Sequence, residues 1–223
     1  MSSRVNVVIP TKSNFSGLAE LLSDLSLDPA IGTICVVADG QATFDALPDP
    51  PEHILTITVP EGVGIQHMWN RGIEAVGRDA HIAFLNDDVR LSPECLSSLA
   101  NSLDNDPIIG IICPNYSTVE MAEDRQVFNT CGSRYDGTGG LAGFAMMLRS
   151  DLAKVYSFDE QLTWWYGDDD VLLWVTRTMG MHAVISHTAR CQHADSVTIR
   201  TNPPANFGQL VADDSEYFRA KWS

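Results

Sequence analysis

His81-Ile82-Ala83-Phe84-Leu85-Asn86-Asp87-Asp88-Val89 is the stretch on which the reading of the fold turns. An apolar run of strand length, with no alternation, describes a strand buried on both faces. Asn and Asp then stop it, as turn-forming residues do. The same design recurs upstream. Val5–Ile9 is closed by Pro10-Thr11-Lys12, and Ile34–Ala38 is closed by Asp39-Gly40. His53–Val59 and Ile108–Cys113 read as two further strands. Between them lie segments with helical spacing. Gly17–Leu27 is apolar at 18, 21, 22 and 25, and Gly64–Val76 carries a stripe at 65, 68, 69, 73 and 76. Pro93–Leu103 follows, with Ser92 as its expected N-cap. Strands alternating with helices predict a mainly parallel α/β sheet flanked by helices. Ligands bind such sheets beyond the carboxyl ends of the strands. Three of those ends carry the polar groups just named, so their side chains are expected to converge on one crevice.

The second half is less regular. Tyr116–Gly140 reads as loops or an edge hairpin, and Leu141–Arg149 as a buried strand or helix. Trp164–Gly180 is helix-like, Ala183–Ser186 a short strand, Cys191–Thr198 a loop and Asp213–Trp222 a C-terminal helix. No linker separates the halves. The expectation is one domain over residues 1–223, with a first half to about 115 and a smaller lobe beyond about 116.

The net charge of −15 makes nucleic acid or an anionic membrane a poor electrostatic partner. The five cysteines, Cys35, Cys95, Cys113, Cys131 and Cys191, form no CxxC pair, which excludes a zinc knuckle or thioredoxin-like motif. Reduced, buried cysteines fit a cytoplasmic protein. No run approaches the roughly 18 apolar residues of a membrane span. Gly62-Val63-Gly64 is not followed by the Gly-Lys-Ser/Thr of a P-loop, and no GxSxG is present.

Four places could carry chemistry, and each has a plainer reading. Asn86-Asp87-Asp88 could be turn chemistry, but a carboxylate at a strand end can hold a hard divalent cation. Asp39-Gly40 could be a turn, or a carboxylate reading a base or ribose with Gly allowing close approach. Asp168-Asp169-Asp170 could be a solvated helix start favoured by the dipole. Preceded by Trp164-Trp165-Tyr166, one member could instead be a partly buried general base, with the aromatic faces holding a sugar. His193, in Gln192-His193-Ala194-Asp195, could be a structural histidine.

Taken in order, VNVVIPT, VVADG, GVGIQHMWNRGIEA, IAFLNDDV, LAGFAMMLR, FDEQLTWWYGDDD with Gly180, QHADSVT and FRAKW resemble the motifs of the family 2 glycosyltransferases, which have the GT-A fold. The resemblance covers most of the chain, and implies that the half to about 115 binds the nucleotide-sugar and that the lobe from about 116 to 223, with its C-terminal helix, is the acceptor side. It implies an inverting, hexosyltransferase-like transfer from a UDP-, GDP- or dTDP-sugar, with Mn2+ or Mg2+ bridging the diphosphate. The implied metal ligands are Asp88 and His193, supported by Asp87 or Asn86. The implied nucleotide-sugar contacts are Pro10, Thr11, Asp39, Gly40, Asn70 and Asp87, and the implied acceptor or sugar contacts are Trp164, Trp165 and Gly143. Asp169 best matches the family's catalytic Asp, followed by Asp168 and then Asp170. Trp174 or Val175 stands where the family often has an Arg, and the nearest Arg is Arg177. The acceptor is a glycan, protein or other hydroxyl. The competing readings are a noncatalytic nucleotide-sugar-binding module and a sugar-1-phosphate nucleotidylyltransferase. The latter needs a basic Gly-rich loop after the first strand, where this chain has only Lys12.

Overall fold

The computed structural model describes residues 3–47, 54–130, 140–194, 203–204 and 206–223. Its strands are β1 Val5–Thr11, β2 Ile31–Asp39, β3 Ile54–Val59, β4 His81–Leu85, β5 Val89–Leu91, β6 Ile109–Asn115, β7 Arg125–Val127, β8 Ala145–Leu148 and β9 His182–His193. Its helices are α1 Phe15–Leu25, α2 Gln41–Ala46, α3 Ile65–Val76, α4 Cys95–Asn105, α5 Ser150–Ala153, α6 Gly167–Leu173 and α7 Phe207–Trp222, and a π-turn over Trp174–Thr178 extends α6.

The strands form one sheet in the order β3-β2-β1-β4-β8-β6-β9-β5, with β7 paired to β9. The first four are mutually parallel. β8 runs antiparallel to both β4 and β6. β6 and β9 are again parallel, and every antiparallel pair among the described residues involves β8 or β9. The chain leaves β1 toward β2 and β3, then returns through α3 to β4 on the other side of β1. That reversal opens a crevice beyond the ends of β1 and β4, where open α/β sheets bind ligands.

Both faces of the sheet are covered, which explains why its central strands read as runs. Val8, Val37 and Phe84 pack with Trp69 and Ile73 of α3 and with Val171 and Leu172 of α6. Val7, Ile9, Val36 and Leu85 pack on the other face with Leu21 of α1 and Leu99 of α4. The strand alternation thus feeds two cores, and the side chains just past the strand ends belong to neither.

Several local expectations are corrected. Ser92 does not cap α4 with its side chain: the cap position is Glu94, in a left-handed conformation. The free amides of Leu96 and Ser97 are instead satisfied by Asp28 Oδ2, at 2.9 and 3.1 Å. Cys191–His193 is strand, because β9 extends to pair with β5. Among the described residues of Tyr116–Gly140, the expected loops are joined by β7, which pairs antiparallel with β9. The short α2 follows Gly40, where the sequence offered only a turn. Cys35, Cys95, Cys113 and Cys191 are buried, as expected. His53, Cys131 and residues 195–198 of the late His segment lie outside the described residues.

Candidate active site

β1 and β4 end side by side, and two residues tie the ends together. Thr11 Oγ1 donates to Asp87 Oδ2 at 2.7 Å, and Asn14 Nδ2 donates to the Asp87 carbonyl at 3.0 Å. Burial pushes the Asp87 carboxyl up to about 6, aided by the charge of Asp88, while the hydrogen bond from Thr11 opposes the shift. Asp87 therefore braces the turn, and this leaves Asp88 as the residue directed onward.

Asp88 meets the end of β9. Val89 pairs with His193, and the Ala194 amide donates to the Asp88 carbonyl at 3.1 Å. This backbone clamp brings His193 Nε2 to 3.0 Å from Asp88 Oδ1. The imidazole is stacked on Phe144, with ring centroids 4.0 Å apart and planes 7° from parallel. Two donors bound at right angles to a hard cation, each at ~2.1 Å, must lie ~3 Å apart. The carboxylate and imidazole thus fit a shared divalent cation. Among the described residues no third His, Cys, Asp or Glu completes a protein-only cage. Such a cation would take its remaining ligands from water or from a phosphate-bearing substrate.

At the end of β2, Asp39 accepts from the Gly62 amide at 2.7 Å and pairs with Lys12 Nζ at 3.0 Å. Burial opposes the charge on Lys12, but Asp39 and Glu61 outweigh it and raise the Lys12 pKa. Asp39 is therefore an oriented anion with its cation beside it. Lys12 stood in the sequence as mere punctuation, and its partner at the end of the neighbouring strand gave no local sign.

The wall opposite is the turn Leu162–Tyr166. The Ile65 amide at the start of α3 donates to the Thr163 carbonyl at 2.9 Å. Gly64 has φ +94°, and a Cβ there would lie 2.5 Å from that same oxygen, so only glycine allows the approach. Thr11, Lys12, Asp39, Asp88, Trp164 and Trp165 then face one cavity of about 170 Å3, with Pro10 and Asp87 also on its wall.

The three aspartates of α6 have separate fates. Asp170 is buried: its Oδ1 accepts from Trp222 Nε1 at 2.9 Å and pairs with Lys221 at 2.7 Å, and its Oδ2 accepts from Tyr156 at 3.3 Å. Asp169 Oδ1 accepts from Thr130 Oγ1 at 2.9 Å. Asp168 is enclosed against Gly143, where a Cβ would come within 2.3 Å of Asp168 Oδ2. Burial, and then the charge of Asp169, push the Asp168 carboxyl up to about 7. Asp168 therefore holds its proton to higher pH than an ordinary carboxyl.

Of the expected site residues, Gly40, Asn70, Gly143, Asp168, Asp169, Asp170 and His193 do not line the cavity. Asn70 bridges Phe158 through its amide and carbonyl, at 2.9 Å each, and also donates to Glu160. Gly40, at φ +90°, turns the chain from β2 into α2. Arg177 donates to the Trp222 carbonyl at 3.4 Å, away from the acidic turn.

The family model for glycosyl transferase family 2 matches residues 6–156. The chain belongs to glycosyl transferase family 2. The matched region holds β1 through β8 and every cavity residue except the two tryptophans. No curated protein matches the chain by sequence. The family 2 architecture is shared by solved structures at low identity. The structure of GalNAc-T7 with UDP, GalNAc and Mn2+ superposes with a TM-score of 0.65 at 12% identity, covering 86% of this chain and 44% of that one. The mannosyltransferase PcManGT from Pyrobaculum calidifontis, in complex with GDP-Man and Mn2+, gives 0.62 at 17% identity, covering 87% and 57%. S. aureus TarS 1–349 gives 0.57 at 13% identity, covering 96% and 70%. This family 2 chain spans about half the length of the first two. What is shared at these identities is the GT-A fold. No helix among the described residues is long and apolar enough to cross a membrane.

Proposed function

We propose that residues 1–223 form one catalytic unit that moves a single sugar from a nucleotide-diphospho-sugar to an acceptor hydroxyl, with inversion and with a divalent cation. The observation that carries this reading is the shared cavity: a nucleoside-type anion (Asp39), a cation-type carboxylate (Asp88, which pairs with His193) and two indoles line the same crevice at the sheet's reversal. GalNAc-T7 and PcManGT, on the same fold, were crystallised with UDP or GDP-Man and with Mn2+.

In this reading Asp39 accepts a hydrogen bond from the base or ribose, and Lys12 donates beside it. Asp88 and His193 hold the cation, which when bound neutralises the charge of the departing diphosphate. Trp164 and Trp165 cover the sugar with their apolar faces and exclude water. Asp168, enclosed against Gly143, holds its proton to higher pH, and Asp169 is the member we assign as base. Asp169 takes the acceptor's proton as the acceptor oxygen bonds to the anomeric carbon and the carbon–oxygen bond to the diphosphate breaks. Asp170, held by Trp222, Lys221 and Tyr156, sets the pitch of the helix that carries them.

The test is nucleoside diphosphate release from UDP-, GDP- and dTDP-hexoses, with Mn2+ or Mg2+ and with EDTA. Metal-dependent release from one nucleotide class is expected. Release unaffected by EDTA, or none from any donor, would overturn the proposal.

A further inference from the structure

The buried carboxylate of Asp214 has no evident place in the chemistry above. It is 2% exposed, although it sits on α7, a helix with little other buried surface. No cation among the described residues pairs with it. Its oxygens accept instead from one short stretch of backbone. Oδ1 takes the Thr163 amide at 2.9 Å and the Thr163 hydroxyl at 3.2 Å, and Oδ2 takes the Trp164 and Trp165 amides at 2.8 Å each. Successive amides converging on one anion form a nest, a geometry that fixes the backbone of a turn.

The rest of that face of α7 reads the same segment. Phe207 meets the rings of Trp164 and Trp165 at 6.5 and 6.2 Å. Phe218 stacks on Tyr166 at 5.0 Å, and Tyr166 holds the left-handed φ of +63° that starts α6. Lys221 and Trp222 then take Asp170. Positions 207, 214, 218, 221 and 222 recur at helical spacing, so one face of α7 grips residues 163–170 from end to end.

We propose that Asp214 is a positioning residue: it fixes the Trp164–Trp165 wall of the cavity and, through it, the approach of the sugar to the groups at Asp88 and the acidic turn. The kinetic part rests on the proposed glycosyl transfer; the positional part does not. Asp214→Asn keeps the size but turns an amide toward amide donors. Asp214→Glu keeps the charge and displaces it by a methylene. Glu216→Gln, exposed on the same helix, serves as the control.

The five tryptophans, labelled as 5-fluorotryptophan, give a 19F spectrum in which Trp164→Phe and Trp165→Phe assign the two cavity resonances. Asp214→Asn and Asp214→Glu are expected to shift or broaden those two and leave Trp69 in place. Hydrolysis of UDP-glucose or GDP-mannose with Mn2+ should lose at least tenfold in kcat, with calorimetric affinity for UDP or GDP within about twofold. Unmoved Trp164 and Trp165 resonances in the folded variants would overturn the proposal. So would displacement of all five together, or loss of nucleotide affinity in step with kcat, since either marks a merely structural residue. If Asp214→Asn fails to fold, Asp214→Glu decides by the same criteria. If the wild type hydrolyses neither donor, the glycosyl-transfer reading has failed, and the 19F result alone decides the positional claim.

Discussion

Replacing Asp168 with Asn should stabilise the protein at pH 8 and leave it nearly unchanged at pH 4. Asn is close to isosteric, so the seat beside Gly143 stays filled. What changes is charge. In the fold the Asp168 carboxyl is pushed from 3.8 to about 7, first by burial and then by the charge of Asp169. The shift is about 3 units, and at ~1.4 kcal/mol per unit it amounts to a folding cost on the order of 4 kcal/mol. The sign follows from which state releases its proton first. Below pH 4 the carboxyl is protonated in both states and costs nothing. As pH rises, the unfolded chain ionises near 4 while the folded site holds its proton, so stability falls until the folded carboxyl ionises near 7. The variant cannot titrate and escapes that loss. Urea unfolding at pH 4 and pH 8 measures it. With a denaturant slope near ~3 kcal/mol/M, the upper end for small proteins, the variant's midpoint at pH 8 should rise by roughly 1 M. Asp169→Asn should recover part of the same gain, because its charge is the second cause of the shift. A midpoint difference that is the same at both pH values would refute the reasoning, since it would owe nothing to ionisation.

The remaining expectations concern activity and the turn. Asp169→Asn should cut transfer kcat by at least about 100-fold, the usual size of a general-base effect, with donor affinity unchanged; near-normal transfer in steady-state kinetics would move the base elsewhere. Asp88→Ala and His193→Ala should each weaken Mn2+ binding in the presence of nucleoside diphosphate by more than the roughly 10–100-fold typical of outer-shell partners, as read by calorimetry. Asp39→Ala should weaken nucleotide binding by about 1–3 kcal/mol, and equal affinity for UDP, GDP and dTDP before and after would remove Asp39 from the site. Gly64→Ala must strain a left-handed backbone and meet the Thr163 oxygen, a cost of about 1–3 kcal/mol visible as a lowered unfolding midpoint.

The N-terminal half of the fold was legible because its signals are local. A strand covered by helices on both faces is an apolar run, and a run ends where the chain turns. Hence β1, β2 and β4 could be placed from the runs Val5–Ile9, Ile34–Ala38 and His81–Leu85, and with them Thr11, Asp39 and Asp88 at neighbouring ends. The antiparallel half was read less well for the opposite reason. β5 and β7 each have three residues, too short to show a period, and exist through their pairing with β9. Ser92 looked like a cap because caps are usually local, yet α4 takes its capping carboxylate from Asp28, in the turn after α1.

The acidic run shows most clearly what separation in sequence hides. Asp168, Asp169 and Asp170 are equivalent as neighbours, so spacing alone could not divide their roles. The fold divides them by partners that lie far along the chain: Gly143 encloses the first, Thr130 holds the second, and Lys221 and Trp222 take the third. Asp214 is the same case reversed. In the sequence it is one more carboxylate on an acidic C-terminal helix. Only its burial against three consecutive amides, some fifty residues upstream, separates it from the exposed Asp213 beside it. A carboxylate buried without a cation is costly unless backbone donors replace its water. That requirement ties Asp214 to the tryptophan turn, and makes the helix a support behind the cavity's wall though none of its described residues lines the cavity.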